Sequence, residues 1–209
     1  MIKYNNVLDY LDELFSNPRC ELNYNCDYEL LIAVVLSAQC SDKRVNIVTK
    51  ELFKKYDLVG LSNASIEDIK KIIYSVGTSN KKARYIKNIA NELITKCNGV
   101  VPNNREFLEN LDGVGRKTCN VVLAILFNEA TIAVDTHVAR VAKRLGITKN
   151  TDAVKIEKDL MKFFPKDKWS RVHLQLVLFG RYYCKSINPL CDNCKFNNIC
   201  KYKKNTFFD

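Results

Sequence analysis

The chain has 209 residues, 47% hydrophobic and 27% charged, which is ordinary globular usage and excludes wholesale disorder. Its longest apolar run, residues 30–36, is too short to span a bilayer, and residues 1–6 lack the layout of a signal peptide, so a cytoplasmic protein is expected. Lys and Arg number 33 against 23 Asp and Glu, a net charge of +10 that suits a polyanionic partner without requiring one.

Apolar residues recur at helical spacing almost throughout. Val7, Leu8, Leu11, Leu14 and Phe15 predict a first helix that Pro18 ends. The run 30–36 is apolar all round and predicts a buried helix. Val45, Val48, Leu52 and Tyr56 form another face, and Ser65 with Asp68 resembles a capping box ahead of Ile66, Ile69, Ile72 and Ile73. Ala83, Ile86, Ile89, Ala90, Leu93 and Ile94 predict a long amphipathic helix closed by Gly99 and Pro102. Residues 107–111 read as a short helical turn and 116–127 as a mostly apolar helix. Asp135-Thr136 caps a helix running to about Leu145 and ended by Gly146. Further helices are predicted from Thr151 to before Pro165 and over residues 169–184. No stretch alternates with a period of two between hairpin turns, so the expected class is all-α.

The most informative block is Leu111-Asp112-Gly113-Val114-Gly115-Arg116-Lys117-Thr118. Two glycines one residue apart, between a short and a longer helix, allow a tight turn and a close backbone approach to a ligand. The second helix then presents unpaired amides and the positive end of its dipole, an arrangement that can hold a phosphate, although a plain connecting turn has the same pattern.

Nine cysteines in a cytosolic chain point to metal or redox chemistry before disulfides. Cys184, Cys191, Cys194 and Cys200 crowd the C-terminal end, with six, two and five residues between them. This is not the paired C-x2-C spacing of a zinc ribbon. Four unevenly spaced thiolates can wrap a four-iron cubane, with zinc as the alternative.

The hairpin block, followed by Val134-Asp135-Thr136-His137-Val138-Ala139-Arg140-Val141, resembles the helix-hairpin-helix glycosylase superfamily and, more closely, the endonuclease III family. The buried run ending in Leu36-Ser37-Ala38-Gln39 and the cysteine spacing match it as well, so the resemblance covers essentially the whole chain. It implies a two-lobed helix-hairpin-helix DNA glycosylase fold. A six-helix barrel would cover about residues 22–130, with the hairpin motif at about 105–127. Residues 1–21 and 131–209 would form a discontinuous helical iron–sulfur lobe. The implied activity is base-excision repair: a bifunctional DNA N-glycosylase and abasic-site lyase that removes oxidised pyrimidines from damaged double-stranded DNA and cleaves the strand by β-elimination. A monomer is expected, with no membrane partner.

Lys117 stands at the family's nucleophile position and Asp135 at that of its assisting carboxylate. The physical reading agrees: a Schiff base needs an amine able to attack the sugar C1′, and a helix N-terminus disfavours a cation. Asp135 would stabilise positive charge developing on the sugar. Gln39 matches a residue that enters the gap left by a flipped nucleotide. Gly113, Val114 and Gly115 are expected to bind DNA phosphate through the hairpin backbone. His137 is expected to be structural or to contact phosphate, and His173 to be a partly buried core histidine. The four clustered cysteines are implied to hold a [4Fe–4S] cluster, and Lys185, Lys195, Lys201, Lys203 and Lys204 flank it where phosphates could lie.

One departure stands out. The family has a bulky apolar or aromatic residue after Gly77, whereas Thr78 and Ser79 are small and polar, which bears on lesion range and duplex bending. Asp112 stands where proline is common and Cys119 where alanine is. The mismatch-directed adenine glycosylases share the cysteine spacing but lack the hairpin lysine and carry an extra C-terminal domain; this chain has nine residues after Cys200. A non-catalytic iron–sulfur DNA-binding protein would have no use for Lys117 with Asp135.

Overall fold

Helical spacing becomes helix throughout the computed structural model, which describes residues 3–202; among these there is no strand. The chain divides into two compact units, Cys20–Phe127 and Met1–Arg19 with Asn128–Asp209.

The unit Cys20–Phe127 holds α2 (Asp27–Leu36), α3 (Asp42–Lys55), α4 (Leu58–Asn63), α5 (Ile66–Ile73), α6 (Ser79–Cys97), α7 (Arg105–Glu109) and α8 (Arg116–Phe127). The all-apolar run of α2 is buried on every side and packs on α3, α6 and α8. Ser41 caps α3, and Ser65 caps α5 by accepting from the Asp68 amide at 3.1 Å while its hydroxyl donates to the Asp68 carboxylate at 2.8 Å. Helix α4 was not foreseen. Its six residues include Gly60, Ser62 and Asn63, too few apolar positions to display a period, and it starts because Asp57 accepts from the Gly60 amide at 2.7 Å. This unit thus carries seven helical segments, the five-residue α7 coming just before the glycine turn.

The other unit contains α1 (Tyr4–Leu14), α9 (Thr136–Leu145), α10 (Ala153–Phe163), a 3-10 turn over Lys166–Lys168, and α11 (Trp169–Tyr182). Asp152 rather than Thr151 caps α10, accepting from Lys155 at 2.9 Å. Helix α11 ends two residues before Cys184, where the Cys184 amide turns back to the Phe179 carbonyl at 2.8 Å. Val7, Leu11, Val138, Val141, Ile156, Leu160, Leu176, Phe179 and Phe196 form its core. Arg171 and Gln175 on α11 both reach the Asp12 carboxylate, at 2.6 and 2.7 Å, and fasten α1 to this core. His173 is fully buried rather than partly so. No helix among the described residues is long and apolar enough to cross a membrane.

Candidate functional site

The hairpin turn is built on buried anchors. Leu111 and Val114 point inward, Gly113 takes the left-handed conformation at φ 79°, and Asp112, Gly115, Arg116 and Lys117 are exposed. A side chain at Gly113 would run into the Tyr85 ring, its Cβ lying 2.5 Å from Cδ2, so the turn rests directly on α6. The Asn88 amide, also on α6, donates to Asp112 at 2.7 Å. Asp112 therefore holds the turn by a side-chain bond where the family's proline would hold it by a fixed φ.

The Val114 amide donates to the Leu111 carbonyl at 3.0 Å and closes the turn. The hairpin presents the glycine backbone and the first turn of α8, where the helix dipole is positive. Lys117 lies in that turn, exposed, while Thr118 and Cys119 behind it are buried. Cys119 sits beneath α7, its sulfur 3.9 Å from the Arg105 carbonyl.

Asp135 belongs to the other unit, where it caps α9: Oδ1 accepts from the Val138 amide at 2.7 Å. His137, the second residue of α9, is half-buried and meets Arg140 Nη2 through Nδ1 at 3.2 Å. Its backbone packs so closely on α11 that a Cβ at Gly180 would lie 2.7 Å from the His137 Cβ, so only glycine fits there. Arg140 also donates to the Gly180 and Cys184 carbonyls at 2.7 and 3.0 Å; burial pulls its pKa down, but a guanidinium remains charged.

Gln39 lies exposed in the turn after α2 with φ 57°, and Thr78, also exposed, adopts φ 58° just before α6. Such angles are uncommon outside glycine and strained for a β-branched residue such as threonine. The two turns adjoin, since a Cβ at Gly77 would face the Gln39 carbonyl at 3.9 Å. Between them lies a group the sequence reading passed over. Lys82 is 3% exposed, and its ammonium donates to the carbonyls of Leu36 and Ala38 at 2.9 and 2.6 Å. Its signal was available: Lys82 precedes Ile86, Ile89 and Leu93 by four, seven and eleven residues, squarely on the apolar stripe of α6.

Cys184, Cys191, Cys194 and Cys200 line a single pocket with Leu145, Phe179, Pro189 and Phe196. No disulfide joins them. Arg144 braces the loop, donating to Cys184 Sγ at 3.4 Å and to the Lys185 carbonyl at 2.6 Å while stacking under Tyr202. Of the flanking lysines, Lys195 pairs with Glu13 and lies near the Tyr10 ring, and Lys201 packs its chain on Gly146. Lys203 and Lys204 fall outside the described residues.

Comparison with known proteins gives this arrangement a family. Residues 32–166 match the HhH-GPD superfamily of base excision DNA repair proteins. The chain is 43% identical to endonuclease III of Bacillus subtilis, over 93% of this chain and 90% of that one. It is also 43% identical to endonuclease III of Haemophilus influenzae, over 97% and 96%. Among solved structures it resembles a trapped endonuclease III–DNA covalent intermediate at 43% identity with a TM-score of 0.93, covering 99% of this chain and all of the other. A non-covalent endonuclease III–DNA complex matches at 42% identity and a TM-score of 0.94, covering both chains completely. A thermostable thymine-DNA glycosylase, at 24% identity and a TM-score of 0.84, shares the fold. With its glycine hairpin, its helix-capping aspartate and its four-cysteine loop, the chain belongs to the HhH-GPD superfamily and, within it, to the endonuclease III family.

Proposed function

We propose that this chain is a bifunctional base-excision repair enzyme, a DNA N-glycosylase with an associated abasic-site lyase, acting on duplex DNA that carries oxidised pyrimidines. The observation that carries the reading is the match, over nearly the full chain, to an endonuclease III caught as a covalent intermediate with DNA. Lys117 is the amine this chain offers for such a bond. Exposed in the first turn of α8, it is free to reach a sugar placed against the hairpin.

In this reading the neutral Nζ of Lys117 attacks C1′, and the glycosidic electron pair leaves with the damaged base, which takes up a proton. The amine passes one proton to the ring oxygen as the C1′–O4′ bond breaks, giving a protonated imine between Lys117 and C1′. Removal of a C2′ proton then expels the 3′ phosphate, and water releases the enzyme from the unsaturated aldehyde. Asp135 stabilises the positive charge that develops on the sugar and takes part in proton transfer. The glycine backbone of Gly113 and Gly115, together with the α8 dipole, holds a phosphate and positions the duplex without reading its sequence. Because Nδ1 of His137 accepts from Arg140, Nε2 carries the ring proton and can donate to a second phosphate. Gln39 fills the gap opened when the damaged nucleotide leaves the stack.

Cys184, Cys191, Cys194 and Cys200 would hold a [4Fe–4S] cluster. Their sharing of one pocket supports this. Four thiolates at this uneven spacing suit a cubane of four irons and four sulfides. When bound, the cluster cross-links a loop that has little apolar core of its own.

Borohydride trapping on a duplex with an abasic site tests the assignment, because it reduces the imine to a stable link. Lys117→Ala should abolish both the adduct and strand cleavage while retaining DNA binding. Lys117→Arg should fail in the same way, since a guanidinium stays protonated. An adduct formed by Lys117→Ala would mean that another amine is the nucleophile.

A further inference from the structure

Helix α2 ends in a low-dielectric setting. Residues 30–36 are buried all round, yet the last carbonyls of any helix lack partners within it. Some are met locally: the Ser37 amide reaches the Ala33 carbonyl at 2.9 Å and the Ser37 hydroxyl the Val34 carbonyl at 2.8 Å. The Leu36 and Ala38 carbonyls are met from a distance, by the ammonium of Lys82. A cation at a helix C-terminus is favoured by the dipole, and its hydrogen bonds are of the strong, charge-assisted kind. Its burial is unfavourable, as the lowered pKa of Lys82 reflects. Leucine or methionine would be the ordinary choice on this stripe, so the ammonium marks a place where geometry outranks stability.

The geometry in question is that of the two strained turns. The Lys82 backbone amide donates to the Thr78 carbonyl at 3.1 Å, and its side chain grips the carbonyls on either side of Ser37, immediately before Gln39. One residue thus ties the Thr78 turn to the Gln39 turn. Thr78 is too small to stack on exposed bases, so intrusion into the duplex falls to Gln39, whose left-handed backbone must be held from behind.

We propose that Lys82 is a positioning residue for strand intrusion: its buried ammonium locks the end of α2 so that Gln39 is presented, pre-formed, to the gap left by the flipped nucleotide. The inference rests on the assignment of Gln39 to that gap. It concerns the step in which the lesion leaves the stack, and Lys82 touches neither DNA nor the reacting sugar.

The test compares single-turnover base release from a base-paired lesion with that from the same lesion in a mismatch, where extrusion is easier. Gln39→Ala, Lys82→Met, Lys82→Gln and the double variant Gln39→Ala with Lys82→Met are measured beside the parent enzyme. Lys82→Met should slow the paired substrate roughly tenfold, the scale of one hydrogen bond to a charged group, and the mismatched one by less than about threefold. The double variant should be no slower on the paired substrate than Gln39→Ala alone, because the two residues act in one step. Lys82→Gln keeps a donor in the same place and should recover part of the loss; it also carries the comparison if Lys82→Met does not fold. Amide exchange should rise over residues 37–41 and not over α2. Equal slowing on both substrates with exchange raised throughout the unit would overturn the proposal and leave Lys82 a stability residue. Indifference of Gln39→Ala to pairing would overturn the assignment of Gln39 itself, whatever the Lys82 variants do, and the proposal with it.

Discussion

Replacing Gly113 by alanine probes how firmly the hairpin is seated. Two costs can be worked out from the structure. A φ of 79° places an L-residue in left-handed space, at about 1–2 kcal/mol. The new methyl would also sit 2.5 Å from Tyr85 Cδ2 and 3.0 Å from two further ring carbons, where carbons normally rest about 3.5–4.0 Å apart. Moving a half-buried ring off its seat costs about 1–3 kcal/mol, as overpacking does elsewhere. The sum is roughly 2–5 kcal/mol, a large share of the stability of an ordinary domain. Urea denaturation gives the size of the loss, and Tyr85→Ala separates its parts. If the clash is real, Gly113→Ala should cost less in the Tyr85→Ala background, with a coupling of about 1 kcal/mol or more. Binding to a duplex with an uncleavable abasic-site analogue should weaken in the single variant, because the turn must shift to make room. A cost below about 0.5 kcal/mol, or strict additivity with Tyr85→Ala, would refute the close seating of the turn on α6.

Asp135→Asn should leave folding within about 0.5 kcal/mol of the parent, since asparagine caps α9 as well, yet slow base release by orders of magnitude. A large fall in stability with unchanged chemistry would make Asp135 a cap and nothing more. Cys194→Ser should lose iron, about four atoms per chain in the parent protein, and loosen the loop before it affects chemistry at Lys117; active parent protein with a single zinc and no iron would contradict the cluster. Asp12 provides a pH test. Burial raises its carboxyl pKa, but hydrogen bonds from Gln175 and Arg171 and the charges of Arg171 and Lys168 outweigh it, and the net shift is downward. A depressed folded value means that the stabilisation is present above the unfolded pKa and lost as pH falls through the folded one. The stability gap between parent and Asp12→Asn should therefore be constant between about pH 5 and 8, no more than about 1 kcal/mol at this half-exposed site, and shrink below about pH 4. A gap that persisted at lower pH would show that the charge is not its source.

Helix class and most helix bounds were legible in the chain because they depend on local chemistry: apolar spacing at three and four, and caps such as Ser65, Asp135 and Gly146 that act within one turn. Lys117, Asp135 and the cysteine set stood out as candidates for another reason, since they occur in short motifs that resemble a family's. Helix α4 was not, because six residues cannot display a period, and α11 gave no sign that it would stop at Tyr182. What only the tertiary structure decided are the long-range contacts. Tyr85 and Asn88 lie on α6 and seat a hairpin more than twenty residues further on, with Asn88 replacing a missing proline's rigidity by a bond to Asp112. The Val114 amide is spent inside its own turn, which no spacing rule reveals. Spacing places Lys82 on the apolar stripe of α6 but does not say what its ammonium meets. Only the packing of α6 on α2 turns its ammonium inward to carbonyls more than forty residues away, because a buried helix end must find its hydrogen-bond partners wherever the fold supplies them.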